Sequence, residues 1–340
     1  MRLSKTLYVT GHRAKVGLQK DSLMLNDPEK GRRRVPLASL DGVVLLGNAQ
    51  VTTQALAACA ARGVRIASLS RGGKLRFTVG APISGNVYLR IAQVRASEDT
   101  AHTLEIARAV VAGKLTNARS LVQRWSWDAP TEVEWTLKQT VELLTLRLQG
   151  VESTDSIDRL RGIEGDAARR YFQAMRAALW RSGMKFGSRS RRPPRDPTNA
   201  LLSFVYGLLV AETVGSLEAV GLDPQIGFLH GIRPGRPSLA LDLVEEMRPG
   251  VADRLVVGAL RRRQFVDDDF EFTPGGACYL TSSGRQKLLA LWEARRDEET
   301  MHTLLARTTP RANVPSIQAT ILARHLRGDL PSYAPYLTGP

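Results

Sequence analysis

The sequence predicts an α+β chain, with a small β-rich, sandwich-like domain over residues 1–84 and a larger all-α domain over residues 86–340. Three observations predict it. Before residue 84, short β-branched and aromatic runs alternate with turn residues. After Pro82, apolar residues recur at helical spacing over long stretches with few breakers. The 340 residues are 43% hydrophobic, enough to bury a sizeable core.

The expected strands are Leu7–Thr10, Ala14–Leu18, Val43–Leu46, Val64–Ala67 and Leu75–Val79, with turns at Asn26–Pro28 and Arg71–Gly73. One helix interrupts them, Thr53–Arg62, stopped by Gly63. Beyond the boundary near Ser84–Asn86, one long helix is expected from Val87 to about Trp125. Further helices are expected over Ser156–Arg181, Thr198–Val220, Leu239–Met247, Val251–Arg263, Ser283–Arg296 and Ile317–Leu326. Ser238 reads as an N-cap, and Pro249 limits continuation of its helix.

Lys and Arg number 48 against 33 Asp and Glu, a formal net charge of +15. A field of that sign attracts polyanions, nucleic acid foremost. A membrane partner is disfavoured: no run of about 20 apolar residues is read, and Met1–Lys5 lacks the apolar stretch of a signal peptide. The two cysteines, Cys59 and Cys278, have neither disulfide-framework nor zinc spacing, so a cytoplasmic setting is expected.

Several residues could carry chemistry. Asp242 and Glu245 are three apart on one predicted helix and share a face. They form either a solvated acidic face or a pair that needs a cation between its members. His230 lies just upstream between apolar residues and glycines, as a hydrogen-bonded core histidine or as a ligand. Glu164 is flanked within one turn by Gly162 and Gly165, which weaken a helix by about 1 kcal/mol each relative to Ala. Close approach by a ligand or a neighbouring helix would explain them, as would a helix start or kink. Asn199, Ser203 and Tyr206 form a polar stripe on an otherwise apolar helix, which either lines a site or makes inter-helix hydrogen bonds. The segment Gly183–Pro197 carries Lys185, Arg189, Arg191, Arg192 and Arg195, which suit phosphate contacts; Arg261–Arg263 could act similarly.

Taken in order, these segments resemble the CRISPR-associated integrase family. The resemblance rests on Gly162-Ile163-Glu164-Gly165, the basic loop, Asn199 through Tyr206, Gly227-Phe228-Leu229-His230, and Leu239 through Pro249. Tyr279 through Arg285 adds to it, and it extends over nearly the whole chain. Thr320, where an Arg is expected, and the Pro-bearing stretch Thr308–Pro315 depart from the pattern.

The resemblance implies a homodimer made through the β-rich domain and catalysis in the helical one. It implies a metal, Mg²⁺ or Mn²⁺, on Glu164, His230 and Glu245, with Asp242 as an auxiliary or outer ligand and Asn199 or Tyr206 supporting them. It implies double-stranded and partly single-stranded DNA as substrates, and a small ferredoxin-like partner subunit. The reaction would be attack of a DNA 3′-hydroxyl on a phosphodiester, inserting short fragments into a CRISPR array. A DNA nuclease using water as nucleophile and a non-catalytic DNA-binding scaffold are the alternatives. Glu164, His230 and Glu245 lie 66 and 15 positions apart, so only tertiary structure can bring their side chains to within about 6 Å.

Overall fold

A computed structural model describes residues 5–11, 13–28, 30–81 and 86–338. Met1–Ser4 and the expected boundary residue Ser84 fall outside the described residues. The chain opens with β1 (Thr6–Val9), β2 (Lys15–Gln19), β3 (Ser22–Asp27), β4 (Gly31–Pro36), β5 (Gly42–Leu46) and β6 (Gln50–Val51). Helix α1 (Thr53–Ala61) follows, then β7 (Arg65–Leu69) and β8 (Leu75–Val79). The strands make two four-stranded sheets, ordered β1-β5-β7-β8 and β4-β3-β2-β6. Expectation missed β3 and β4: Asn26 and Asp27, read as a turn, pair in register with Arg32 and Gly31.

Side-chain alternation explains how this β-rich part joins the rest. Val43, Leu45 and Ile66 point into a core shared with Val9, Val16, Leu23 and α1. Their neighbours Val44, Leu46, Ala67 and Leu69 point the other way, into the main helical core. The sheet carrying β5 and β7 is therefore buried on both faces, which is why Val43–Leu46 is a continuous apolar run.

The helical part contains α2 (Val87–Glu98), α3 (Thr100–Ser126), α4 (Thr131–Ser153), α5 (Ile157–Ala178), α6 (Pro197–Val220), α7 (Ser238–Met247) and α8 (Arg254–Arg261). Then come β9 (Phe270–Phe272), β10 (Cys278–Leu280), α9 (Ser282–Asp297), β11 (Glu299–His302), β12 (Arg307–Pro310) and α10 (Val314–Leu326). Expectation missed α4. The single helix expected from Val87 to Trp125 is two, because the Asp99 carboxylate accepts from the Ala101 and His102 amides and starts α3 afresh.

Pro249 does not stop its helix. A π-helical turn, Arg248–Asp253, carries the chain from α7 into α8, and the Arg254 amide reaches back to the Pro249 carbonyl. Ser238 is not the cap either, since its hydroxyl donates to the Gly231 carbonyl at 3.0 Å. Helix α6 matches a membrane span in length and hydropathy, contrary to the expectation of no such run, but 67% of its apolar window is buried in this molecule. It packs on the β7–β8 hairpin, where Gly73 and Gly207 let two backbones meet: a Cβ on Gly207 would lie 1.7 Å from the Gly73 carbonyl oxygen.

Candidate metal centre

Glu164, on α5, and Glu245, on α7, are brought together around one cation. The Lys114 ammonium, from the middle of α3, is bonded to a Glu164 oxygen and lies 2.7 Å from Glu245 Oε2. Sequence reading missed Lys114. Its signal is positional: it follows Val110 and Val111 at helical spacing, on the face of α3 that is otherwise buried. Arg248, one turn beyond Glu245, places Nη1 2.9 Å from Glu245 Oε1. Burial by itself would raise the Glu245 pKa, but Arg248, Lys114 and His230 together outweigh it and hold the carboxyl down at about 2. The same two glutamates keep the buried Lys114 charged against its own desolvation.

His230 completes the arrangement, with Nε2 3.9 Å from Glu245 Oε1. Asp242 fixes its orientation. Asp242 Oδ2 accepts from the Phe228 and Leu229 amides at 2.7 and 3.0 Å. Oδ1 accepts from the His230 amide at 2.9 Å and pairs with His230 Nδ1 at 2.7 Å. The carboxylate is thus spent on four N–H groups, and the imidazole is turned so that Nε2 faces Glu245. Gly227 makes this possible, because a Cβ there would lie 2.9 Å from Asp242 Oδ2 and 2.7 Å from the Ser238 backbone. Arg161, one turn before Glu164, donates from Nε to the Leu229 carbonyl at 2.9 Å and ties the histidine loop to α5. The Glu245 side chain is 4% exposed, those of His230 and Glu164 22% and 25%, so the cluster opens toward solvent on the α5 side.

Gly162 and Gly165 lie inside an unbroken α5, which removes the helix-start reading. A Cβ at either would meet nothing within 4 Å, which removes the close-helix reading and leaves the surface beside Glu164 unobstructed.

The polar stripe of α6 does different work at its two ends. Asn199 is buried and serves the basic loop: its Oδ1 accepts from Arg189 Nη1 at 2.7 Å and the Ser190 amide at 3.0 Å. Tyr206 borders the carboxylate cluster through Arg248, whose guanidinium lies 4.8 Å from its ring centre. Its hydroxyl donates to Asp253, which also accepts from Tyr171 at 2.7 Å. Burial raises the Asp253 pKa to about 6, despite these two donors and Arg248. Of the loop cations, Lys185, Arg191, Arg192 and Arg195 are exposed. Arg189, grouped with them as a phosphate contact, instead turns inward onto Asn199 and Ser203 and over the Tyr206 ring, 5.3 Å away. Its guanidinium braces the loop. Of the further expected phosphate contacts, Arg261 pairs with Asp128 at 2.5 Å and Arg263 donates to the Arg181 carbonyl at 3.2 Å.

A family model described as CRISPR associated protein Cas1 matches residues 7–294. The chain is 42% identical to a CRISPR-associated endonuclease Cas1 of Rhodospirillum rubrum, over 98% of both chains. Its fold resembles a solved casposase bound to integration product, with a TM-score of 0.85 and 22% identity over 97% of this chain and 92% of that one. It also resembles a chain of a Cas6-RT-Cas1–Cas2 complex, with a TM-score of 0.84 and 20% identity over 100% of this chain and 37% of the other. The match over most of the chain and the identity to a full-length relative place the protein in the CRISPR-associated Cas1 family.

Proposed function

We propose that the chain is a divalent-metal-dependent DNA integrase that inserts short DNA fragments into a CRISPR array. The observation that carries this reading is the pairing of Glu164 and Glu245 on one cation, the Lys114 ammonium, with His230 Nε2 3.9 Å from Glu245. Two carboxylates and one oriented imidazole are a donor set suited to Mg²⁺ or Mn²⁺. Such an ion, when bound, would stabilise the charge that develops on the attacked phosphate.

The chain's own residues do the rest. Asp242 holds the His230 ring with Nε2 facing Glu245. Arg248 keeps Glu245 anionic, and Tyr206 and Asp253 hold Arg248 in place. Lys114, released from the glutamates, would remain as a positive charge beside the reacting phosphate. Exposed Lys185, Arg191, Arg192 and Arg195 would hold DNA phosphates, while Arg189 keeps their loop on α6.

The nucleophile in this reading is a DNA 3′-hydroxyl, and a 3′-oxygen of the cleaved repeat strand leaves. The likeness to a casposase bound to integration product favours a hydroxyl over water. The β-rich part over residues 1–84 would carry a homodimer contact. A small ferredoxin-like subunit would be the partner, a reading supported by the likeness to a chain of a Cas1–Cas2 complex.

Incubating the protein with a supercoiled array plasmid and a labelled DNA fragment tests the reading. Covalent joining of label to plasmid is expected with Mn²⁺ and a 3′-hydroxyl end, and none with a 3′-deoxy end. Plasmid nicking that is indifferent to the fragment's 3′ end would replace the integrase with a water-using nuclease. Removing Arg191 and Arg192 together should flatten the log–log salt dependence of DNA affinity by about 2, one counterion per lost phosphate contact. An unchanged slope would take the loop off the DNA path.

A further inference from the structure

We propose that His102, Glu105 and His325 form a second metal site, for zinc or a similar imidazole-preferring divalent cation. Its role is to fasten the C-terminal helix to α3. His102 and Glu105 stand three apart on one face of α3, and His325 comes from the last turn of α10. The site lies twelve residues before Lys114 on the same helix, about 18 Å along its axis at 1.5 Å per residue. It is therefore separate from the Glu164–Glu245–His230 cluster.

The geometry suits a metal. His102 Nε2 and His325 Nε2 face each other at 3.2 Å. Two metal–nitrogen bonds of about 2.0–2.1 Å at a tetrahedral angle place their nitrogens roughly 3.3 Å apart. Glu105 Oε1 is 4.0 Å from His325 Nε2, and the three donor atoms all lie within 4.8 Å of one another. Glu105 is exposed and free to close the remaining gap by rotation.

The surroundings fit as well. His325 Nδ1 donates to the Leu330 carbonyl at 3.2 Å, which fixes the tautomer and leaves the Nε2 lone pair for a ligand bond. A ligating histidine tied by its other nitrogen to a backbone carbonyl is the usual supporting arrangement. Burial grades from His325, buried, through half-exposed His102 to exposed Glu105, so a fourth position would face water. Two imidazoles and one carboxylate favour zinc, cobalt, nickel or copper over magnesium, so this site and the other cluster would select different ions.

The position gives the site a purpose. Two turns before His325, Gln318 of α10 donates to Glu246 at 2.9 Å, alongside Tyr333 of the segment that follows α10. A cation at the end of α10 would hold that whole assembly on α3.

Cobalt titration of the full-length protein tests this, in a His230→Gln background that removes the imidazole from the other cluster. The expected result is tetrahedral visible absorption that zinc displaces. His102→Gln should weaken cobalt binding by more than roughly tenfold, and so should Glu105→Gln, whose exposed side chain leaves the fold untouched. Hydrogen exchange supplies a second readout. Zinc should slow exchange of the α10 amides in the parent and not in either variant. Absorption that persists in His102→Gln, or that is missing already in the His230→Gln parent, would overturn the site and leave the two rings sharing a hydrogen bond only.

Discussion

Glu245 and Glu246 are neighbours on one helix, both almost wholly buried, and they ionise in opposite directions. Burial raises both. At Glu245 it is overcome by Arg248, Lys114 and His230, and the carboxyl is held at about 2. At Glu246 the partners are neutral donors: Tyr333 at 2.7 Å, Gln318 at 2.9 Å and the Tyr336 amide at 3.1 Å. They offset burial only in part, and the pKa stands at about 8. A step of one residue turns a helix side chain by roughly 100°, from a face lined with cations to one lined with hydroxyl and amide groups. Charge on the neighbours, and not depth, decides which glutamate is ionised.

The comparison can be broken most forcefully in strand transfer. Glu164→Gln or Glu245→Gln should lower the rate by roughly a thousandfold or more, the several kcal/mol a metal ion supplies. Glu246→Gln should leave most of it. Equal losses at 245 and 246, with circular dichroism unchanged, would dissolve the distinction.

Next in size is Lys114→Met. Without a metal it leaves Glu164 without its ion-pair partner and Glu245 with Arg248 as its main counter-charge, and should cost roughly 1–3 kcal/mol in urea unfolding. Added Mn²⁺ should restore most of that loss, since an ion bound by the folded state alone stabilises it. A variant as stable as the parent in chelator would show that the lysine balances nothing.

Asp242→Asn retains the shape but replaces one acceptor by a donor against the ring of N–H groups. Mn²⁺ affinity, read by calorimetry, should weaken by about 10–100-fold through misplacement of His230.

The last comparison is in the pH dependence of stability. Glu246 binds its proton more tightly folded than unfolded, so its contribution is full below about pH 4.5 and is lost as pH rises through about 8. Glu245 behaves oppositely: its contribution is present above about pH 4.5 and is lost as pH falls toward 2. Glu246→Gln should therefore flatten the fall in stability between about pH 4.5 and 8 and leave the acid arm below it in place. An unaltered slope in that window would mean that Glu246 is ionised in the folded state.

What could be read from the sequence followed from the strength of each local signal. Glu164 stood out because two glycines weaken its helix, and Asp242 and Glu245 because helical spacing gives them one face. Lys114 carried only the weak signal of its spacing from Val110 and Val111, because a single lysine within an apolar helix normally extends along the surface with its charge in water. Only the approach of α5 and α7 reveals that this one points inward. Arg189 misled for the converse reason, since five cations in one loop look alike until Asn199 and Ser203 take up one of them. Strand β4 was hidden by its own Arg32–Arg34 run on an exposed edge, and α4 by β-branched residues such as Val133, Thr136, Thr140 and Val141. Pro249 was read as a stop because a wider helical turn cannot be told from a terminated helix by composition.

The sheet buried on both faces sets an order of events during synthesis. Strands β5 and β7 are complete by Leu69, yet α6, which covers the β7–β8 hairpin, begins only at Pro197. At roughly 5–20 residues per second, the ribosome leaves the apolar side of that sheet bare for several seconds. A one-residue slip of Val43–Leu46 in that interval would exchange one apolar face for the other, with no polar residue to penalise the error. The nascent chain is then most exposed to mispairing before its helices emerge, and slowing translation between β8 and α6 should increase the aggregated fraction.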